Sequence, residues 1–370
     1  MNVLHIEFDS LGSPLSGGGA LRNIALNSRL VQRGHRVIHL ASRYPGCRDR
    51  ETVHGIHVVR IGKQEFPWNF IWWFCQSGRH ARNYENWADI IVDDFTTPIG
   101  PSLSPLILRK RPLVGSVQFF NAVEMTRKYC GIPFFALERL LLPLYKNFIV
   151  LTPQHERKIR KKVRKARVCI IPNAIDKRDF HVEAHKEENF ILFVGRMDID
   201  MKGIDLLFAA VRIAVKQRPA IRLSMIGHGR EEKKVRAMIR DLGLSLHVDF
   251  VGAVSDKIKF DYIMRSAFVV MPSRYEGFGL VALEAFACSK TLIVFDIENL
   301  NQVVTRERGI LVQPFSVAEY AAHIVSLWDD PEKRSRLGLK GKEFASGLHW
   351  DDIAEQLESF YSRAINEWPS

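Results

Sequence analysis

A chain of 370 residues has room for two ordinary domains. Folding at that size buries roughly three quarters of the unfolded surface, so neither disulfide nor metal staples are needed. Hydrophobic residues make up 46% and charged residues 25%, a balance that excludes an intrinsically disordered chain. The net charge of +12 is unevenly spread: residues 1–180 hold 28 Lys and Arg against 14 Asp and Glu, and the remainder holds 25 against 27. The basic excess of the first half points to an anionic partner or acceptor there.

Cys47, Cys75, Cys130, Cys169 and Cys288 are odd in number and form no C-x-x-C pair. That argues against a disulfide framework or zinc ribbon and fits a reducing compartment. The opening Met1–Glu7 meets an acid at its seventh residue and has no apolar run, so no secretory leader is expected. The greasiest stretch, Phe66–Cys75, is interrupted by Pro67 and Asn69 and is about half the length of a spanning helix. A cytoplasmic location is expected, with peripheral attachment to the inner face of a membrane left open.

In chain order, Val3–Phe8 reads as a buried strand, followed by Gly17, Gly18 and Gly19 and then a helical pattern through Ile24 and Leu30 that closes at Gly34. Val37–Leu40 is the next strand, which completes a βαβ opening and implies a parallel sheet. Further strands are expected at Ile90–Val92, Leu113–Val114 and Phe148–Val150. Residues 176–189 carry no apolar period and read as a linker. A second alternating series follows at Phe190–Val194, Leu223–Ile226, Phe250–Val251, Phe268–Met271, Leu292–Phe295 and Ile310–Val312, with a last helix over Asp351–Ile365. The expectation is an α/β protein of two doubly wound Rossmann-like domains, 1–175 and 190–349, joined by 176–189. Residues 350–370 are expected to pack back on the first domain. In open α/β sheets ligands sit beyond the carboxyl ends of the strands, so the motifs belong in those loops.

The most informative segment runs from Ser273 to Glu284 and contains Glu276, Gly277, Phe278, Gly279 and Leu280. It leaves a strand and opens a helix. Its glycines admit a ligand close to the backbone, and the free N–H groups of the helix start attract an anion. Glu276 lies in the loop and Glu284 about one turn inside the helix, a spacing that suits hydroxyls on two linked sugars. The bland alternative is a helix cap with surface acids, against which stand two glycines, an aromatic residue and two acids in one loop.

Glu276 through Glu284 resembles the E-x7-E motif of retaining glycosyltransferase family 4, within "PSRYEGFGLVALEAFA". The similarity continues in "FVGRMDIDMKGIDLL", in "IPNAID" at 171–176 and in "LVQRGHRV" after the Gly-rich loop. The resemblance implies a GT-B fold, two Rossmann-like domains facing each other across a cleft, and a nucleotide-diphosphate sugar donor, UDP- or GDP-linked. It assigns Arg196 and Lys202 to the donor diphosphate, and Glu276 with Gly277, Phe278, Gly279 and Leu280 to sugar and phosphate. Glu284 would take the ribose hydroxyls, and Gly18 the donor phosphate or a phosphorylated acceptor. Two cations can neutralise a leaving diphosphate without metal; no metal or other cofactor is expected, and Asp198 and Asp200 are read as solvated loop acids rather than a D-x-D metal pair.

Gln118 stands where the family commonly has a His against the donor sugar. Gln donates and accepts hydrogen bonds but takes no proton at neutral pH, which fits a front-face retaining reaction in which the leaving phosphate receives the acceptor proton. Two features bear on the acceptor. Residues 155–168 hold Arg157, Lys158, Arg160, Lys161, Lys162, Arg164, Lys165 and Arg167, with Thr152 and Pro153 as N-cap and first helical residue. Trp68, Trp72 and Trp73 lie among phenylalanines, as in an interfacial anchor or lipid-tail groove. A solvated helix face and a core aromatic patch explain them separately; together they suggest a lipid-linked or membrane-surface acceptor. The readings carried forward are transfer of a hexose-type sugar to such an acceptor in glycan or cell-envelope polysaccharide synthesis, transfer to a soluble sugar phosphate or glycoside, and a polyanion binder. Nucleic acid is disfavoured because no recognised nucleic-acid motif accompanies the charge. A nicotinamide enzyme is disfavoured because G-x-G-x-x-G is missing after the first strand.

Overall fold

The computed structural model describes residues 1–9, 13, 17–62, 68–95, 100–120, 134–180 and 187–369. It divides into two units, Met1–Asn173 with Trp350–Ser370, and Ala174–His349.

The first unit is built on β1 (Asn2–Glu7), β2 (Arg36–Ser42), β3 (Arg50–Val53), β4 (Ile56–Ile61), β5 (Ile90–Asp94), β6 (Leu113–Val117), β7 (Asn147–Val150) and β8 (Arg167–Ile170). They form one sheet in the order β3-β4-β2-β1-β5-β6-β7-β8, parallel except for the β3–β4 hairpin. β1 is buried from Val3 to Glu7 and pairs with β2 and β5, which is why Val3, Leu4 and Ile6 do not alternate with exposed polar residues. The C-terminal helix Trp350–Asn366 belongs to this unit and buries Trp350, Ile353, Leu357, Phe360 and Tyr361, one stripe at helical spacing. Ion pairs Arg29–Asp351 (2.8 Å) and His35–Glu358 (2.9 Å) tie it to Gly18–Gln32 and the residues just past that helix. At a surface such pairs add little beside the apolar burial.

The second unit has six parallel strands, β9 (Ile191–Val194), β10 (Leu223–Ile226), β11 (Val248–Gly252), β12 (Val269–Met271), β13 (Leu292–Phe295) and β14 (Ile310–Val312), in the order β11-β10-β9-β12-β13-β14. Its core joins Ile191, Phe193, Leu207, Phe208, Met225, Phe268, Ile293 and Phe295. Residues 176–189 are less of a linker than their polarity suggests. Lys177–Phe180 forms a 3-10 turn, and Glu187 and Glu188 pair with Arg334 and Arg265 of the second unit; residues 181–186 lie outside the described residues.

Two sequence expectations change. The basic run is not one helix: Thr152 caps Pro153–Lys162 by accepting from the His155 N–H at 3.2 Å, the helix stops at Val163, and Arg167 opens β8. The chain must return to the sheet edge, and Arg167 N bonds Lys146 O at 2.8 Å to do so. His155 and Ile159 face the core, leaving Arg157, Arg160, Lys161 and Lys162 outward. The Trp-rich segment is helix Trp68–Ala81, in which Trp73 is buried and meets Phe8 edge-on at 5.8 Å, while Trp72 lies against Gly62. These two side chains are core, not a membrane anchor.

Among the described residues Cys47, Cys75, Cys169 and Cys288 are free thiols. No described helix is long and apolar enough to cross a membrane.

The centre of the first unit is strongly polar. Asp93 is buried and accepts from Tyr145 Oη (2.5 Å) and Ser102 Oγ (2.9 Å); burial pushes its pKa up to about 6, against the pull of those donors. Burial lowers His5 to about 4. A depressed His stabilises the fold fully above its unfolded pKa of about 6.5, and this is lost as pH falls through about 4. A raised Asp acts oppositely: its contribution is full below 3.8 and lost as pH rises through about 6. Between about pH 4 and 6 the two offset. Asp93→Asn removes the Asp share, so its melting temperature should fall more steeply than wild type between pH 6 and 4.5; parallel melting curves would show that Asp93 holds no extra proton.

Candidate active site

In the second unit the strand order reverses between β9 and β12, since β10 and β11 lie to one side of β9 and β12 to β14 to the other. Such a switch point opens a crevice at the carboxyl ends of the strands, and both motifs leave from there. The loop after β9 carries Arg196 and the short helix Ile199–Lys202; the loop after β12 carries Ser273 to Gly279 and opens helix Leu280–Ala287.

Lys202 and Glu276, 74 residues apart, form an ion pair through Lys202 Nζ and Glu276 Oε1. Ser273 Oγ donates to the same oxygen at 2.9 Å, and Asn299 Nδ2 donates to the Glu276 carbonyl at 3.2 Å. Gly277, Phe278 and Gly279 are buried beside it, and Leu280, half-buried, is the first helical residue. Gly279 adopts φ +92°, and a Cβ there would lie 2.8 Å from Leu300 Cδ1, so the turn into the helix requires glycine. Arg196 is exposed, with no ion pair among the described residues. Glu284 sits inside the helix, already held by Lys259 Nζ at 2.7 Å. Asp198 caps the Lys202 helix by accepting from Met201 N at 3.0 Å, a structural use for one acid of the Asp198–Asp200 pair. Among the described residues no group of three or more His, Cys, Asp or Glu could hold a metal.

Three groups that sequence reasoning missed hold these loops together. Arg274 donates to both Asp205 carboxylate oxygens (2.8 and 2.6 Å) and to Asp200 O (3.0 Å), while its N–H bonds Met201 O at 3.0 Å. It thereby staples the Glu276 loop onto the Lys202 helix. Gly203 turns the chain at φ +62°, with its Cα against Pro272 O. The buried Tyr320 hydroxyl accepts from Met271 N (3.1 Å) and donates to Ile293 O (2.7 Å), fixing the end of β12. Arg274 had a signal, being an Arg beside the motif; Tyr320, about 45 residues downstream, had none.

The first unit has its own switch point, between β1 and β5, and a buried polar cluster fills it. Asp94 accepts from Gln118 Nε2 (2.5 Å) and Asn23 Nδ2 (2.7 Å). Glu7 lies 2.9 Å from His39 Nε2, and burial, with Asp94 nearby, raises its pKa well above the usual carboxylate range. Burial likewise lifts Asp94 to about 6. Arg22 donates to Ile171 O, Pro172 O and Asn173 Oδ1 at 2.7 to 2.9 Å. Gln118 is therefore largely buried, its NH2 group engaged by Asp94 and its Oε1 against Gly19 in the first turn of helix Gly18–Gln32, where a Cβ would come within 2.7 Å. Helix Gly18–Gln32 starts at Gly18, which is exposed.

Two family models match consecutive stretches: "Glycosyltransferase Family 4" over residues 16–179 and "Glycosyl transferases group 1" over residues 175–344. The chain belongs to the family 4 glycosyltransferases. An uncharacterized glycosyltransferase of Methanocaldococcus jannaschii is 30% identical over 198 residues, 53% of this chain and 54% of that one. The chain spans about half the length of the curated relatives it matches. Among solved structures, sucrose-phosphate synthase from Thermosynechococcus elongatus superposes with a TM-score of 0.85 at 22% identity, covering 99% of this chain and 100% of that one. Anabaena HepE, solved with UDP and glucose, gives 0.75 at 17% identity over 97% and 99%. These likenesses establish the GT-B fold of the family for this chain.

Proposed function

We propose that this family 4 member is a retaining, metal-independent glycosyltransferase that moves a hexose-type sugar from a nucleotide-diphosphate sugar to an acceptor. The observation that carries the reading is the Lys202–Glu276 pair beside the helix mouth at Gly279, at the switch point of the second unit. A diphosphate leaving group gains charge as the sugar departs. Lys202 and Arg196 supply cations for it, and the N–H groups that open helix Leu280–Ala287 add a positive end. Glu276 orients sugar hydroxyls, and Glu284 accepts from the ribose. The departing phosphate oxygen takes the acceptor proton on the face the acceptor approaches. That route preserves the anomeric configuration. The UDP in the HepE structure supports a nucleotide-linked donor.

A thermal-shift panel with UDP, GDP, ADP and dTDP, each with and without EDTA, tests this. A nucleotide at a hundred times its Kd adds about 2.7 kcal/mol of apparent stability, a rise of several degrees. One nucleotide should give a rise that survives EDTA and thereby name the base. No rise with any of them would overturn the reading.

A specific observation favours a membrane-surface acceptor over a soluble one. The outward cations of Pro153–Lys162 adjoin helix Phe134–Leu141 through the Lys162–Glu138 ion pair, and that helix presents Arg139 and a Leu140 that is 71% exposed, with Leu144 exposed just beyond. Basic side chains around leucine tips suit an anionic bilayer, at about 1 kcal/mol for each Lys or Arg near the surface. Sedimentation with vesicles containing phosphatidylglycerol should pull the protein down at low salt and release it at high salt. Equal recovery with zwitterionic vesicles, or none with either, would leave the soluble acceptor as the reading.

A further inference from the structure

The two glutamates of the donor motif are held in the same manner. Lys202 takes Oε1 of Glu276, and Lys259, from helix Asp256–Arg265, takes Oε1 of Glu284 at 2.7 Å. Neither family motif includes Lys259. Its side chain is 13% exposed, and its Nζ also lies 3.0 Å from Asp256 Oδ1. Burial opposes its charge, but the two carboxylates outweigh that and its pKa lies above the ordinary value. Glu284 is just as enclosed, at 12%. No hydrogen bond to its Oε2 is made among the described residues. We propose that Lys259 is a positioning and specificity-determining residue: by gripping one oxygen of Glu284, it leaves the other oxygen to accept the hydroxyls of a ribose, so that the site takes ribonucleoside diphosphates over their 2′-deoxy forms. This rests on the nucleotide-sugar reading above.

An enclosed carboxylate without a cation reverts to the acid, and a carboxylic acid accepts far less well than a carboxylate. Burial already raises the pKa of Glu284, and Lys259 is the chief opposing influence. Asp256, on the same helix as Lys259, pushes it further up. At the end of the helix, burial first and then Glu284 and Asp179 push the Cys288 thiol up to about 12 against the pull of Lys290 and Lys342, so it stays protonated. Lys259 therefore favours the charged form of Glu284. Its loss should make binding depend on pH in one direction, weak below the raised Glu284 pKa and recovering above it.

The experiment measures binding of UDP and 2′-deoxy-UDP by calorimetry at pH 6.5, 7.5 and 8.5 on the full chain; GDP and its 2′-deoxy form replace them if the thermal panel selects guanine. Wild type should prefer the ribonucleotide by about tenfold or more, the worth of a hydrogen bond to a charged group, with little change across pH. In Lys259→Met that preference should disappear at pH 6.5 and return in part at pH 8.5. Lys259→Arg should retain it throughout. Lys259→Gln keeps an N–H donor against Glu284 and is the variant to use if the methionine form does not fold; the same pH-dependent loss is expected of it. A preference that survives both neutral substitutions, or an equal loss for both nucleotides that is flat in pH, would overturn the assignment and leave Lys259 a packing residue. Failure of wild type to bind any nucleoside diphosphate would instead overturn the nucleotide-sugar reading, and this role with it.

Discussion

Lys202→Ala should lower sugar transfer roughly a hundredfold or more, the usual loss when one preorganised charge stabiliser is removed. The side chain stands where a leaving diphosphate would gain charge, and its partner Glu276 is only 7% exposed. Removal therefore has two consequences: the developing charge loses a cation, and Glu276 loses the side chain that holds its Oε1 in place. Arg196 remains, and because it is exposed and makes no ion pair among the described residues it can supply part of the neutralisation, which keeps the loss short of complete. Glu276→Ala should cost at least tenfold. If the two act as one unit, the double variant will lose less than the product of the single losses, since contacting residues are not additive. The fold should survive, because Lys202 ends a four-residue helix at the surface of the second unit. Initial rates at saturating acceptor, with melting temperatures as a control, decide it. Unchanged rates in both single variants would remove these residues from the site.

The E-x7-E loop was legible in the sequence because its chemistry is local: two glycines, a helix start and two acids fall within a dozen residues. The parallel sheets were legible because strands buried on both faces, such as β9 and β13, are short unbroken apolar runs. The β3–β4 hairpin was not. Its turn is His54–Gly55, with φ of 49° and 79°, and His is a far weaker signal for such a turn than the usual Asn or Asp. The basic run was misread as one helix because Lys and Arg are good helix formers. The need to place β8 against β7, which breaks the helix at Val163, is a tertiary demand with no local sign. Trp72 and Trp73 look the same in sequence whether they meet lipid or core; their burial depends on Gly62 and Phe8, 10 and 65 residues away. The buried cluster at the first unit's switch point was likewise hidden. Glu7, Asp94 and Gln118 come from the ends of three different strands, and only the strand order brings them together.

Gly203 offers the second large effect, because the geometry separates two causes that usually arrive together. Its φ of +62° is a left-handed conformation that costs an alanine about 1–2 kcal/mol. A Cβ there would also sit 2.0 Å from Pro272 O, which is backbone and not the movable end of a side chain. Gly243, in the same unit, has a nearly equal φ of +69° but nothing within 4 Å of its Cβ position. Gly243→Ala should therefore lose only the conformational part, a few degrees of melting temperature at this domain size. Gly203→Ala should lose that and the clash besides, because either the Lys202 helix or the Pro272 loop must move. Both end at the donor site, and Arg274 joins them through Asp205 and Met201, so a shift that relieves the clash also pulls Lys202 away from Glu276. The expected result is a melting loss at least twice that of Gly243→Ala, together with weakened nucleotide binding that Gly243→Ala does not show. Equal melting losses with nucleotide affinity intact would mean that the Pro272 carbonyl yields freely, and that the close approach of these two loops is not what sets Lys202 against Glu276.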